Sequence, residues 1–193
     1  MLIFVGVLLT LLIPLVVLGL GYFRVRRSYQ LFIIPITTLI ALVLVFTNVG
    51  KLPVSIQFPN LSPVSYFYES PMLLVDNISW PFVISILTLV LATFLFDIAH
   101  LENLSPYYWA FIQFFGGLGI IAVLSGNPLT ILIAWSVIDI TECIALLRSV
   151  AKSRDRENVV ISLSVRITGI VLVISAMIIA QGMGNPLSFN EIQ

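Results

Sequence analysis

The sequence predicts an all-α membrane protein, a six-transmembrane-helix bundle with a small external β-hairpin between helices 2 and 3. Three observations predict it. The 193 residues are 60% hydrophobic and only 9% charged, against about 45–50% apolar and about 25% charged in soluble domains. The apolar residues gather into stretches of about 20, which at about 1.5 Å per residue cross a hydrocarbon core of about 30 Å. The basic residues fall almost wholly into two of the short connections. A chain with so little polar surface takes the bilayer as its solvent.

The spans fall at about 2–22, 31–49, 79–96, 107–125, 129–147 and 159–180, and the sequence is read as a single polytopic domain over 1–193. The first, "MLIFVGVLLTLLIPLVVLGLGYF", has no charge before it and "RVRR" after it. A signal peptide has the reverse order, so this stretch is expected to be retained as a helix with its N-terminus outside. Trp80, Tyr107, Tyr108 and Trp109 sit at helix starts, where aromatic anchors belong. Trp135 lies deeper in its span.

Orientation follows from the Lys and Arg count. Arg24, Arg26 and Arg27 lie between helices 1 and 2, and Arg148, Lys152, Arg154 and Arg156 between helices 5 and 6. With six spans these two loops share a side, which the positive-inside rule makes cytoplasmic, with both termini outside. The longest loop, 50–77, is then external. In it "VSIQF" alternates apolar and polar residues, "PNLSP" turns, and "VSYFYE" follows, the pattern of a hairpin. Pro53, Pro59, Pro63 and Pro71 exclude a helix there.

The composition also narrows the chemistry. Nine basic and nine acidic residues give zero net charge, so there is no electrostatic footprint for nucleic acid. A single cysteine, Cys143, excludes an intrachain disulfide or a cysteine-ligated cluster, and a single histidine, His100, supplies no metal site. No phosphate-binding loop is present. No cofactor is expected.

Three ionisable residues fall well inside spans: Asp139, Glu142 and Arg166. A lone acid at mid-bilayer costs about 2.5–3.5 kcal/mol on insertion scales. Asp139 and Glu142 lie about 60° apart on one face of their helix, and two close acids in a low dielectric repel, which favours protonation of one of them. Intramembrane charges face a bundle interior or hydrated cavity and mark ion or proton paths. The alternative is structural: acid and base lock two helices together, or meet a charge on a neighbouring subunit. Ser136, Thr141 and Thr130 fit either reading. Asp97 and His100, near the end of helix 3, are accessory candidates, although a solvated helix terminus accounts for them and for Glu102. Glu69 and Asp76 are read as solvated, Cys143 as a small buried apolar residue, and Gly116, Gly117 and Gly119 as permitting close helix packing.

Several stretches resemble a known family. "LLVDNISW" resembles the Asp-x-Leu/Ile-Ser element of the antiporter-like, proton-translocating membrane subunits of respiratory complex I (NADH:quinone oxidoreductase), shared with multisubunit cation/proton antiporters. "FIQFFGGLGIIAVLSGNPLTILIAWSVIDITECIALL" is similar to that family's fourth and fifth helices. "VVISLSVRITGIVLVISAMIIAQGMGNPLSF" resembles its sixth, especially in the distal, largest subunit. The resemblance is to the N-terminal six-helix portion. It implies proton or cation/proton translocation in a respiratory-chain or antiporter assembly, with other membrane subunits and the lipid bilayer as partners. It also implies a bacterial or archaeal inner membrane, or an equivalent energy-transducing one. Any enzymatic role would be at most that of a non-redox membrane subunit.

Two departures stand out. The family's glutamate directly follows the tryptophan, whereas Trp135 is followed by Ser136, with Asp139 one turn on. Arg166 matches the family's arginine, but the acid three residues later is replaced by Gly169. The family's proton path further needs a lysine on a seventh helix and broken helices beyond it. The expected role is therefore a relay carboxylate at Asp139, modulated by Glu142 and tuned by Arg166, or a non-conducting scaffold with degenerate path residues. An independent sensor or solute transporter has no positive support.

Overall fold

A computed structural model describes residues 2–22, 27–58, 70–100, 106–149 and 153–183. Six α-helices carry the fold: α1 (Leu2–Tyr22), α2 (Arg27–Phe46), α3 (Ser79–His100), α4 (Pro106–Val123), α5 (Pro128–Ser149) and α6 (Ser153–Gly182). Two short strands, β1 (Val54–Gln57) and β2 (Met72–Val75), pair between α2 and α3 in the chain. Five stretches are long and apolar enough to cross a membrane: Leu2–Leu20, Ser79–His100, Pro106–Val123, Pro128–Ser149 and Asp155–Ala180. The apolar part of α2, Leu31–Phe46, is shorter. The chain is an integral membrane protein built as an all-α bundle.

The helix bounds depart from the sequence reading at the ends. α2 starts at Arg27 rather than residue 31 and stops at Phe46. There Thr47 and Asn48 turn back, the Asn48 Nδ2 donating to the Leu44 carbonyl at 2.8 Å. α6 begins at Ser153, because its polar opening "SRDREN" is helix-forming although too charged to lie in lipid.

The sheet corrects the hairpin expectation. "VSIQ" is a strand as expected, but its partner is "MLLV" at 72–75 rather than "VSYFYE", which lies outside the described residues together with the "PNLSP" turn. The physical reason is that β2 is hydrogen-bonded on both edges. It pairs with β1, and Leu73 also bridges to Ser125 while the Gly126 N–H donates to the Met72 carbonyl at 2.8 Å. A strand flanked on both sides reads as a continuous apolar run, not as an alternation. Arg24, Arg26, Glu69, Glu102 and Lys152 also lie outside the described residues.

The described chain divides into two compact units. The first comprises Met1–Val54 and Leu74–Leu124 and holds α1 to α4. Its core gathers Val17, Ile34, Val90, Phe94, Trp109 and Ala110. Close approach depends on glycine: a Cβ at Gly116 would stand 2.7 Å from Val90 Cγ2, and one at Gly117 would stand 2.9 Å from Leu11 Cδ2. The expected packing role thus applies to these two, whereas Gly119 would make only an ordinary 3.9 Å contact.

α3 opens with a reciprocal cap. The Asp76 Oδ1 accepts the N–H groups of Ile78 and Ser79, at 3.0 and 2.6 Å, while the Ser79 hydroxyl accepts the Asp76 N–H at 2.9 Å. Asp76 is therefore engaged rather than simply solvated, and the Ser79 N–H in particular holds its carboxyl below the usual carboxylate range.

Trp109 corrects another expectation. It is no interface anchor, being 1% exposed, with its indole N–H donating to Asp97 Oδ2 at 2.8 Å. An indole buried this deeply needs an acceptor, and Asp97 supplies it. Tyr107 and Tyr108 are exposed, as anchors should be, and the Trp80 Nε1 donates to the Val45 carbonyl at 3.2 Å.

The second unit comprises Ser55–Leu73 and Ser125–Gln193 and holds α5 and α6. Asn127 caps α5, its Oδ1 accepting the Thr130 N–H at 2.9 Å just before Pro128 at the first helical position. The Asn127 Nδ2 donates to the Ser70 carbonyl and the Met72 N–H to Thr130 Oγ1, both at 2.8 Å. Leu129, Leu132 and Met177 form the small core where α5 and α6 meet.

Candidate functional site

The three intramembrane charges expected from the sequence come together. α5 carries Asp139 and Glu142 on one face, as their three-residue spacing requires, and α6 presents Arg166 to both. The Arg166 Nη1 donates to Asp139 Oδ1 at 2.9 Å and also to Glu142 Oε2. The Nη2 donates to Glu142 Oε1 at 3.2 Å. The guanidinium thus grips Glu142 with both nitrogens and Asp139 with one, the forked geometry that distinguishes Arg from Lys.

Two carboxylates against one guanidinium leave one negative charge when both acids are ionised. The side chains of Arg166 and Glu142 are 39% and 35% exposed, and Asp139 is 17% exposed. In water such a bridge would be worth little. Within an apolar helix pair the residual charge is costly, and it demands a proton, a cation or hydration.

The surroundings are asymmetric. A groove of ≈ 380 Å³ runs along α5 and α6, lined by Ile131, Trp135, Gly169 and Val173 among others and reaching Asp139 and Arg166. A Cβ at Gly169 would meet nothing within 4 Å, so the missing side chain leaves that wall open. Trp135 faces outward along this groove, which accounts for its depth in the span. Toward the other end the cluster is bounded by Cys143, Leu146, Val159 and Leu163. Cys143 is buried, as expected.

The remaining candidates stand apart from the cluster. The Ser136 hydroxyl donates to the Leu132 carbonyl of its own helix at 2.8 Å, and Thr141 does the same to Val137 at 2.7 Å. Asp97 is held by Trp109. His100 is exposed, with Nδ1 2.9 Å from the Phe96 carbonyl oxygen and its ring stacked against Phe96. Thr130 belongs to the α5 cap. Among the described residues no group of His, Cys, Asp and Glu is arranged to hold a metal ion. Sequence reasoning missed Gln113 and Asn127. The first is an uncharged amide inside an apolar run, and the second was legible in the cap signature "NPLT".

No family model matches the chain, and no curated protein matches it. Among solved structures, it is similar to a chain of the membrane-bound sulfane sulfur reductase, an archaeal respiratory membrane complex. The TM-score is 0.70 and the identity 17%, over 97% of this chain and 29% of that one. The likeness shows a shared membrane fold. The chain thus spans under a third of the length of the chain it matches.

Proposed function

We propose that this chain is a membrane subunit of a complex I-like or antiporter-like respiratory assembly, and that the α5–α6 cluster takes part in moving protons. The single observation that carries the reading is one arginine shared by two acids inside an apolar helix pair. The fold similarity to a chain of a respiratory membrane complex supports the choice of assembly.

A guanidinium bonded to two acceptors can shift its weight between them. When Arg166 closes on Glu142, which it already grips with both nitrogens, Asp139 loses its counter-charge among the described residues and takes a proton. When Arg166 returns, the proton is released. Asp139 is the relay, Glu142 the holding partner and Arg166 the switch, with the groove beside Trp135 and Gly169 as the side from which water reaches Asp139. On this reading the basic loops are cytoplasmic and other membrane subunits complete the path.

A non-conducting scaffold is the second reading. It is favoured by Ser136, whose hydroxyl is spent on its own helix, and by the completeness with which Arg166 occupies both acids. Mild-detergent purification from native membranes, with mass spectrometry of the intact chain and its partners, tests the assembly. Membrane subunits of a quinone-reducing or antiporter complex are expected, and their absence overturns it. Asp139→Asn separates the readings: a conductor stays assembled on native gels and loses transport, whereas a scaffold loses assembly.

A further inference from the structure

The first unit contains a polar layer that the ion cluster does not involve. Gln113 on α4 is 1% exposed, and its Nε2 donates to Thr37 Oγ1 of α2 at 3.1 Å. Its Oε1 is buried and has no hydrogen-bond partner. Leaving a buried amide oxygen unpaired costs about 1–3 kcal/mol, and inside a membrane bundle bulk water cannot relieve it.

Among the described residues, the threonine hydroxyls of α1 and α2 are engaged elsewhere. Thr37 and Thr38 both donate to the Ile34 carbonyl, at 2.8 and 3.0 Å, and Thr10 donates to the Val7 carbonyl at 2.7 Å.

The layer gains more acceptors from two prolines. Pro14 lies inside α1 and Pro35 inside α2, and both are buried. Neither has the N–H that would bond the carbonyl four residues earlier, so the carbonyls of Thr10 and Leu31 lose their helical donors. The depths agree. Gly6 of α1 faces the Ala41 backbone of α2, and Gly117 of α4 faces Thr10 and Leu11 of α1. Successive spans run in opposite directions, so counting from these contacts brings Pro14, Pro35 and Gln113 within about one helical turn of one level.

We infer that this layer binds buried water, with one molecule donating a hydrogen bond to Gln113 Oε1 and its second proton to a proline-freed carbonyl. An uncharged, acceptor-rich and donor-poor layer selects a neutral donor, and water with two to four polar partners meets that need. The site would make the α1–α4 unit hydrated at depth independently of the ion cluster.

A map of the purified assembly that resolves ordered water tests this directly. Density is expected within about 3.2 Å of Gln113 Oε1. A protein donor on that atom, or an empty surrounding, overturns the inference. Thermal unfolding of two variants gives a second readout. If water satisfies Oε1, Gln113→Leu strands it and lowers the midpoint by about 2–4 °C or more, a larger fall than for Thr37→Val. If Oε1 is dry, Gln113→Leu removes an unpaired group and falls less than Thr37→Val, which contradicts the proposal.

Discussion

The two units treat polar groups inside an apolar protein in opposite ways. The α1–α4 unit holds its deep polar groups neutral and buried: Thr10, Thr38 and Gln113 are almost wholly inside, and the threonines are satisfied by their own helices. The α5–α6 pair holds charges, and it leaves Arg166 and Glu142 partly uncovered. Neutral groups can be sealed by backbone carbonyls within a packed bundle. An ion triad with an odd charge cannot be sealed, and it is kept where a proton, water or another chain can reach it. On the proposed function, the second unit is the place to look for transport.

The largest expected effect breaks the second unit's ion balance. Arg166→Leu leaves two carboxylates facing each other without a cation, and assembled material on native gels should fall more than about tenfold. Arg166→Lys keeps the charge but not the fork, so it should fall between this variant and the parent. Equal behaviour of all three would mean that the bridge carries no weight.

Next comes the first unit's own polar anchor. Trp109→Phe retains the ring stacked on Phe94 at 5.1 Å but strips Asp97 of its donor, at a cost of about 1–3 kcal/mol. A thermal midpoint unchanged from the parent would show that water replaces the indole freely.

Glycine sharpens the contrast further. Gly116→Ala puts a Cβ 2.7 Å from Val90 Cγ2, an overpacking worth about 1–3 kcal/mol. Gly169→Ala meets nothing within 4 Å and should stay within about 0.5 kcal/mol of the parent. Matched midpoints for the two variants would dissolve the distinction between a packed unit and an open one.

The smallest effect lies at the α3 cap. The carboxyl of Asp76 is held below its usual value by the Ser79 N–H, so its contribution is present above the unfolded value of about 3.9. It is lost as the pH falls through the lowered folded value. Asp76→Ala should cost about 1 kcal/mol at neutral pH and converge with the parent in acid. A constant difference across that range would show that the charge is irrelevant to the cap.

Much of this was legible in the sequence for reasons that differ by element. Apolar length located the spans, since only a helix satisfies the backbone in lipid. The pairing of Asp139, Glu142 and Arg166 was legible because charges in apolar helices must find one another. The true partner of β1 was not, because "MLLV" becomes a strand through pairing on both edges and shows no period of its own. Asp97 was noticed as a candidate, but its partner was hidden for a similar reason. Its use depends on Trp109 arriving from another helix, which no local pattern announces. Gln113 gave no charge and no spacing to notice.

The central claim is that Asp139, with Glu142 and Arg166, carries protons. The most direct test is proton transport by the reconstituted native assembly carrying Asp139→Asn with Glu142→Gln, normalised to assembled complex. A relay predicts transport at background in a complex that still assembles. Transport at the parent rate in that complex would contradict it.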